Sequence, residues 1–152
     1  MRPTDRAPGL QQIGHAHHDT VRLCRKIREA IDENVASSRI QRYCRHFLRK
    51  QLEPRFHFEE EVVFPALGRD HPAVRKALAE HRRLRRLING NMDPMVAVSL
   101  LEEELEAHVR FEERRLFNDI LKKATPQQLA RMRDASLALP PPSPIDRPLG
   151  SR

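Results

Sequence analysis

Apolar residues recur every three or four positions along four long stretches of this chain, and proline or glycine separates the stretches. This spacing places apolar side chains on one face of an α-helix, and no stretch shows the two-residue alternation that is typical of a half-buried strand. The pattern predicts four long helices and a short fifth one, at about residues 10–36, 39–67, 72–89, 94–123 and 126–138.

The predicted helix ends carry residues that favour helix boundaries. Ser37 and Ser38 precede the second helix, while Asp93 and Thr125 precede the fourth and fifth helices, each followed directly by proline. Serine, threonine and aspartate accept hydrogen bonds from first-turn N–H groups, and proline is favoured in a first turn. Pro54, by contrast, lies inside the second predicted helix and should kink it.

Short connections between four long amphipathic helices favour an all-α, up-down-up-down four-helix bundle. We predict that the bundle spans residues 10–123 and that residues 124–139 form a short C-terminal helix. The proline-rich segment 140–152 is predicted to be a disordered tail. We find no sequence repeat.

Length and composition narrow the class of protein. The chain has 152 residues, enough for one domain with a substantial core. Its net charge is +7, but the cations are interleaved with glutamates and only 5% of residues are aromatic, so a nucleic-acid partner is not favoured. There are two cysteines without a CxxC pair, no apolar leader and no long apolar run. We therefore expect a cytoplasmic protein without a membrane partner.

Two polar residues interrupt the apolar stripe of the fourth predicted helix. Leu105, Val109 and Leu116 define this stripe, and His108 and Glu112 lie within it. Burial of an unpaired carboxylate is costly, so an inward-facing glutamate needs a partner.

The other three helices also offer polar residues to the bundle interior. His81 lies near the centre of the third stripe, and His17 lies near the first. On the second helix Pro54 obscures the phase, but His57 and Glu61 are one turn apart. Each long helix thus presents a histidine, and two helices add a glutamate one turn later.

Connection lengths place most of these residues at one level of an antiparallel bundle. His17 and His57 are separated from the first loop by similar numbers of residues, and the same is true of His57 and His81 with respect to the second loop. His108 lies several residues further from the third loop than His81, so this connection agrees less well. Imidazole and carboxylate together suit iron, manganese or zinc, and a metal would offset the buried negative charge. Two carboxylates could bridge two ions, with two imidazoles completing each ion.

Four segments in order carry a resemblance to a known family: "HHDTVRLCRKIR", "HFEEEVVFPAL", "EHRRLRRLI" and "HVRFEERRLF". Over residues 10–123 the chain resembles the hemerythrin-like, HHE cation-binding domains. The resemblance implies a four-helix bundle that holds two non-haem iron ions joined by an oxo or hydroxo bridge, with manganese or zinc as alternatives. It also implies that Glu61 and Glu112 bridge the ions. The implied ligands are His17, His57, Glu61, His81, His108 and Glu112.

The chain departs from the oxygen-carrying hemerythrins at two places. Those carriers have two histidines one turn apart on the third helix, whereas the positions flanking His81 here are Ala77 and Arg85. This difference argues against reversible oxygen carriage. Their last carboxylate follows its histidine by five residues, which would select Glu113, but the apolar stripe favours Glu112.

The first-helix ligand has three candidates, because "HAHH" contains His15, His17 and His18. Helix face and motif favour His17, then His18, then His15. Ferritin-like di-iron bundles are excluded, because they need a Glu-x-x-His motif and no histidine here follows a glutamate by three residues.

The leading hypothesis is a non-haem di-iron protein that binds or responds to O2, NO, peroxide or iron, in sensing, storage or detoxification. Its partner would be a diatomic or peroxide-type small ligand, and the protein would bind that ligand rather than turn over as an enzyme. The alternative is a helical partner-binding or regulatory protein with a structural or degenerate metal site. The absent third-helix histidine and the basic surface favour that alternative.

Overall fold

Helices follow one another along the chain in this computed structural model, which describes residues 2–141 and 148–149, and no strand occurs within those ranges. Two 3-10 turns, Pro3–Asp5 and Pro8–Leu10, precede the first α-helix. The α-helices are α1 (Gln11–Asp32), α2 (Ser37–Phe47), α3 (Glu53–Phe58), α4 (Pro72–Asn89), α5 (Pro94–Phe111), α6 (Phe117–Lys123) and α7 (Pro126–Ser136).

Three π-helical turns interrupt the long helices without ending them. Leu48–Leu52 joins α2 to α3, Glu59–Val63 follows α3, and Glu112–Leu116 joins α5 to α6. A 3-10 turn, Phe64–Ala66, closes the second long helix. Pro54 lies in the first turn of α3, directly after a π turn. A π turn contains more residues than an α-helical turn, so each one changes which side chains face the core.

Two of the three predicted helix N-caps are confirmed by the structure. Asp93 and Thr125 accept hydrogen bonds from first-turn N–H groups, and Thr125 forms a complete capping box. The predicted cap at Ser37 is wrong, since Ser37 is already helical and Ala36 precedes the helix without a side-chain hydrogen bond.

The helices pack into a bundle around α5. The most extensive packing is between α1 and α5, α4 also packs on α5, and α2 contacts both α4 and α5. The up-down-up-down order of the helices stays a prediction. None of the described helices has the length and apolar character needed to cross a membrane.

Two apolar clusters fill the core. The first includes Leu23, Ile27, Phe56 and Leu105, and the second includes Ile13, Phe58, Ala77, Leu116 and Phe117. Between them along α1, α4 and α5 lie buried polar side chains. The polar level of the bundle is therefore enclosed by apolar packing on both sides.

The C-terminal segment contributes to this core. In α7, Met132 belongs to the second cluster, and Leu149 is buried against the first. The predicted disorder of residues 140–152 otherwise falls mainly on residues outside the described ranges.

Candidate metal centre

Four buried side chains from the second, third and fourth long helices of the bundle converge between the two apolar clusters. They are Glu59, His81, His108 and Glu112, and one donor atom from each lies within 4.8 Å of the others. His81 comes from the middle of α4 and His108 from the end of α5. Each glutamate is the first residue of a π turn.

His17 on α1 joins this group through Glu112. The Nε2 atom of His17 lies 3.2 Å from Glu112 Oε1, and His108 Nε2 lies 3.4 Å from the same oxygen. The second oxygen, Oε2, is 4.0 Å from His81 Nε2. We call these five side chains the His/Glu centre; its members are His17, Glu59, His81, His108 and Glu112.

Several buried atoms of the centre have no hydrogen-bond partner among the described residues. These atoms are His81 Nε2, His108 Nε2 and Glu112 Oε2. His81 Nε2 lies 3.2 Å from Glu59 Oε1, yet the two are not aligned as a hydrogen bond. Burial of a polar atom without a partner costs free energy, and a bound cation would remove that cost. Neighbouring donor atoms around one ion are about 3 Å apart, which is close to the distances measured here. The residues present therefore fit a bound metal cation.

A carboxylate outside the centre binds the other ring nitrogen of each histidine. These hydrogen bonds hold a proton on Nδ1, so Nε2 is the nitrogen that faces the centre and can bind a metal once its own proton is displaced, the arrangement typical of metal-ligating histidines. The three pairs, measured from Nδ1 to the nearer carboxylate oxygen, are His17–Glu113 at 2.8 Å, His81–Glu60 at 2.6 Å and His108–Glu80 at 2.7 Å.

Further side chains hold these outer carboxylates in place. The Thr4 hydroxyl donates to Glu113 at 3.3 Å, so the N-terminal 3-10 turn reaches the site. Arg85 donates to Glu60 at 3.3 Å, and Lys76 donates to Glu80 at 2.7 Å.

Aromatic rings pack against the imidazoles. Phe56 stacks on His81 with ring centroids 3.9 Å apart, and Phe117 stacks on His17 at 5.9 Å. The rings restrict both the orientation of the imidazoles and the access of water.

The electrostatics of the centre favour protonated imidazoles when no metal is bound. Burial alone would lower the pKa of His17, but the hydrogen bonds that its ring donates to Glu112 and Glu113 raise it to about 9. Burial opposes protonation of His108 too, but the charge of Glu112 together with hydrogen bonds to Glu112 and Glu80 raises its pKa to about 10. Burial and the nearby Glu112 charge raise the pKa of Glu59 to about 7. The protons held here would be displaced by a metal cation.

The structure brings together four of the six predicted ligands, namely His17, His81, His108 and Glu112. Their role as ligands stays a prediction. The other candidates for the first-helix ligand, His15 and His18, are exposed. Glu113 contacts the outer nitrogen of His17 instead of entering the centre.

The other two predicted ligands need a correction, since His57 and Glu61 are exposed and Glu59 occupies the centre instead. A helix turns about 100° per residue, so a shift of two residues reverses the face. The π turns and Pro54 disturb the helical phase, and the His-x-x-x-Glu spacing alone selected the wrong pair.

A signal for Glu59 was present in the sequence. The tripeptide Phe-Glu-Glu occurs twice, at 58–60 and at 111–113, followed in each case by another phenylalanine after three residues. In both copies the first glutamate enters the centre and the second binds the Nδ1 atom of a histidine on another helix. Aligning these tripeptides, rather than His57 with His108, gives the observed face.

A small cavity adjoins the centre. Its volume is about 20 Å³, and its lining includes His17, Glu59, His108, Glu112 and Arg55. This space is enough for one water-sized molecule. A small ligand could therefore reach the donor atoms from this side.

The sequence comparisons agree with this geometry. A family model described as "Hemerythrin HHE cation binding domain" matches residues 9–97, more than half of the chain. The matched region includes His17, Glu59 and His81, and it ends in the first turn of α5, before His108 and Glu112. No curated protein and no solved structure matched the chain. The chain therefore belongs to the hemerythrin HHE cation-binding domain family.

Proposed function

We propose that this chain is a non-haem iron-binding protein of the hemerythrin type. Its His/Glu centre would bind or respond to O2, NO, peroxide or iron itself, in sensing, storage or detoxification. One observation carries the proposal: three imidazoles, each with a carboxylate on Nδ1, present Nε2 atoms to two buried glutamates. Such nitrogen and oxygen donors suit iron, with manganese and zinc as alternatives.

Each part of the site has a distinct role in this proposal. The five side chains of the centre would hold the metal, while the three outer carboxylates orient the imidazoles. Bound iron would supply positive charge and an open coordination position for a small ligand. The adjoining cavity admits a molecule of that size, and the stacked phenylalanines keep bulk water away.

The finer prediction of two bridged irons is supported by the position of Glu112. Its Oε1 faces His17 and His108, whereas Oε2 faces His81, as expected for a bridging carboxylate. That prediction also relied on four imidazoles, and the centre contains three because His57 lies at the surface. The number of ions therefore needs evidence of its own.

Anaerobic loading with ferrous iron tests the proposal. After excess iron is removed, the metal is counted in wild type, Glu59→Gln and the matched control Glu61→Gln. We expect wild type and Glu61→Gln to retain iron and Glu59→Gln to lose most of it, because only Glu59 lies in the centre. Equal retention by Glu59→Gln and wild type would contradict the assignment.

Admission of oxygen or nitric oxide then tests ligand binding. We expect new near-ultraviolet charge-transfer absorption in wild type and none in Glu59→Gln. Iron that is retained without any spectral response to either gas would instead support the structural-site alternative.

A further inference from the structure

Arg55 holds the same position relative to Glu59 that His108 holds relative to Glu112. Each residue precedes its glutamate by four positions, and the two segments align through their shared Phe-Glu-Glu tripeptides. Arg55 is buried, with 5% of its surface exposed, and it lines the cavity together with His108 and both glutamates. A guanidinium thus stands where the second copy of the motif has an imidazole.

The surrounding structure holds this guanidinium inside the bundle. Nη1 donates to the backbone carbonyl and to the side-chain oxygen of Gln51, each at 2.8 Å, and Nη2 donates to the Pro140 carbonyl at 2.7 Å. Nε is buried without a hydrogen-bond partner among the described residues. Because arginine stays charged in proteins, the cavity wall carries a fixed positive charge. That charge would repel a second metal cation.

The donor atoms are also packed closely enough for one ion. Four of them lie within 4.8 Å of one another. Donors on opposite sides of a single ion are about 4.2 Å apart, from bond lengths of about 2.1 Å. Two ions about 3.5–4 Å apart would place their outermost donors roughly 8 Å apart. The observed spacing is close to the first value.

We propose that the His/Glu centre holds a single divalent cation. In this proposal Arg55 occupies the position of a fourth imidazole ligand, and its guanidinium supplies the positive charge that a second cation would otherwise supply. His81, His108, Glu59 and Glu112 would supply four donors and leave coordination positions for a small ligand. His17 lies outside this set, with its Nε2 atom 3.2 Å from Glu112 Oε1. This inference rests on the proposed function and departs from the two irons that the family resemblance implies.

Manganese(II) is a suitable probe, because electron paramagnetic resonance distinguishes an isolated ion from an exchange-coupled pair. The experiment counts bound manganese and records the spectrum for wild type, Arg55→His and the control Arg83→His. Arg83 pairs with Glu104 and forms no hydrogen bond or ion pair with a member of the centre. We expect one isolated ion in wild type and in Arg83→His, and a coupled pair in Arg55→His.

The outcomes separate this inference from the proposed function. Wild type that binds two coupled ions overturns the single-ion inference and leaves the proposed function standing. Wild type that binds no ion overturns both. An Arg55→His chain that still binds one ion overturns the role of Arg55, provided that its circular dichroism matches wild type. The wild-type count decides the number of ions even if Arg55→His does not fold.

Discussion

Replacing Glu80 by glutamine tests whether an outer carboxylate tunes the metal centre. Glu80 Oε1 lies 2.7 Å from His108 Nδ1, and Oε2 lies 2.7 Å from Lys76 Nζ. Glutamine keeps nearly the same size and can still accept a hydrogen bond, but it loses the negative charge. His108 would then be a weaker donor to a cation and less firmly oriented.

The expected loss follows from the strength of this hydrogen bond. A bond to a charged group contributes about 1.5–3 kcal/mol, against about 0.5–1.5 kcal/mol for a neutral one. Loss of such a partner typically weakens metal binding by about 10–100-fold. Glu80 is 27% exposed, so solvent screens part of its charge. We therefore expect roughly tenfold weaker binding, or about 1.4 kcal/mol.

Competition with a chelator of known affinity measures this change. The matched control is Glu104→Gln, because Glu104 is 33% exposed and pairs with Arg83 but forms no hydrogen bond or ion pair with a histidine of the His/Glu centre. Metal affinity should fall in Glu80→Gln and stay at the wild-type value in Glu104→Gln. Equal affinities in all three chains would refute the reasoning.

Three further predictions concern the whole chain. Metal affinity should rise as the pH increases towards 9, because the cation must displace protons from His17 and His108, whose pKa values are about 9 and about 10. Calorimetry can measure the protons that are released when the metal binds. Without metal, the raised pKa values of His17 and His108 mean that the folded chain binds more protons than the unfolded chain above pH 6.5. The melting temperature of the metal-free chain should therefore fall as the pH rises from 7 to 10. Cys24 and Cys44 are buried with pKa values raised to about 12, so both should resist a thiol reagent until denaturant is added.

The helices could be predicted from sequence because their apolar spacing and their breaks are local signals. Proline and glycine marked the ends, and the caps at Asp93 and Thr125 were found for that reason. The phase of the second long helix could not be predicted in the same way. Its π turns depend on packing of the whole bundle, and counting at 100° per residue fails across them. The error in placing His57 and Glu61 follows from that failure.

The outer carboxylates show a second limit of spacing arguments. Glu60, Glu80 and Glu113 each bind a histidine on a different helix, so no pattern within one helix reveals the pair. The two Phe-Glu-Glu segments nevertheless encode part of this arrangement, since each supplies one inward and one outer glutamate. Four residues before the inward glutamate, the segments differ between Arg55 and His108. The two Phe-Glu-Glu segments thus place their glutamates in equivalent positions, but one segment carries an arginine where the other carries a histidine. This difference favours a centre that holds a single cation.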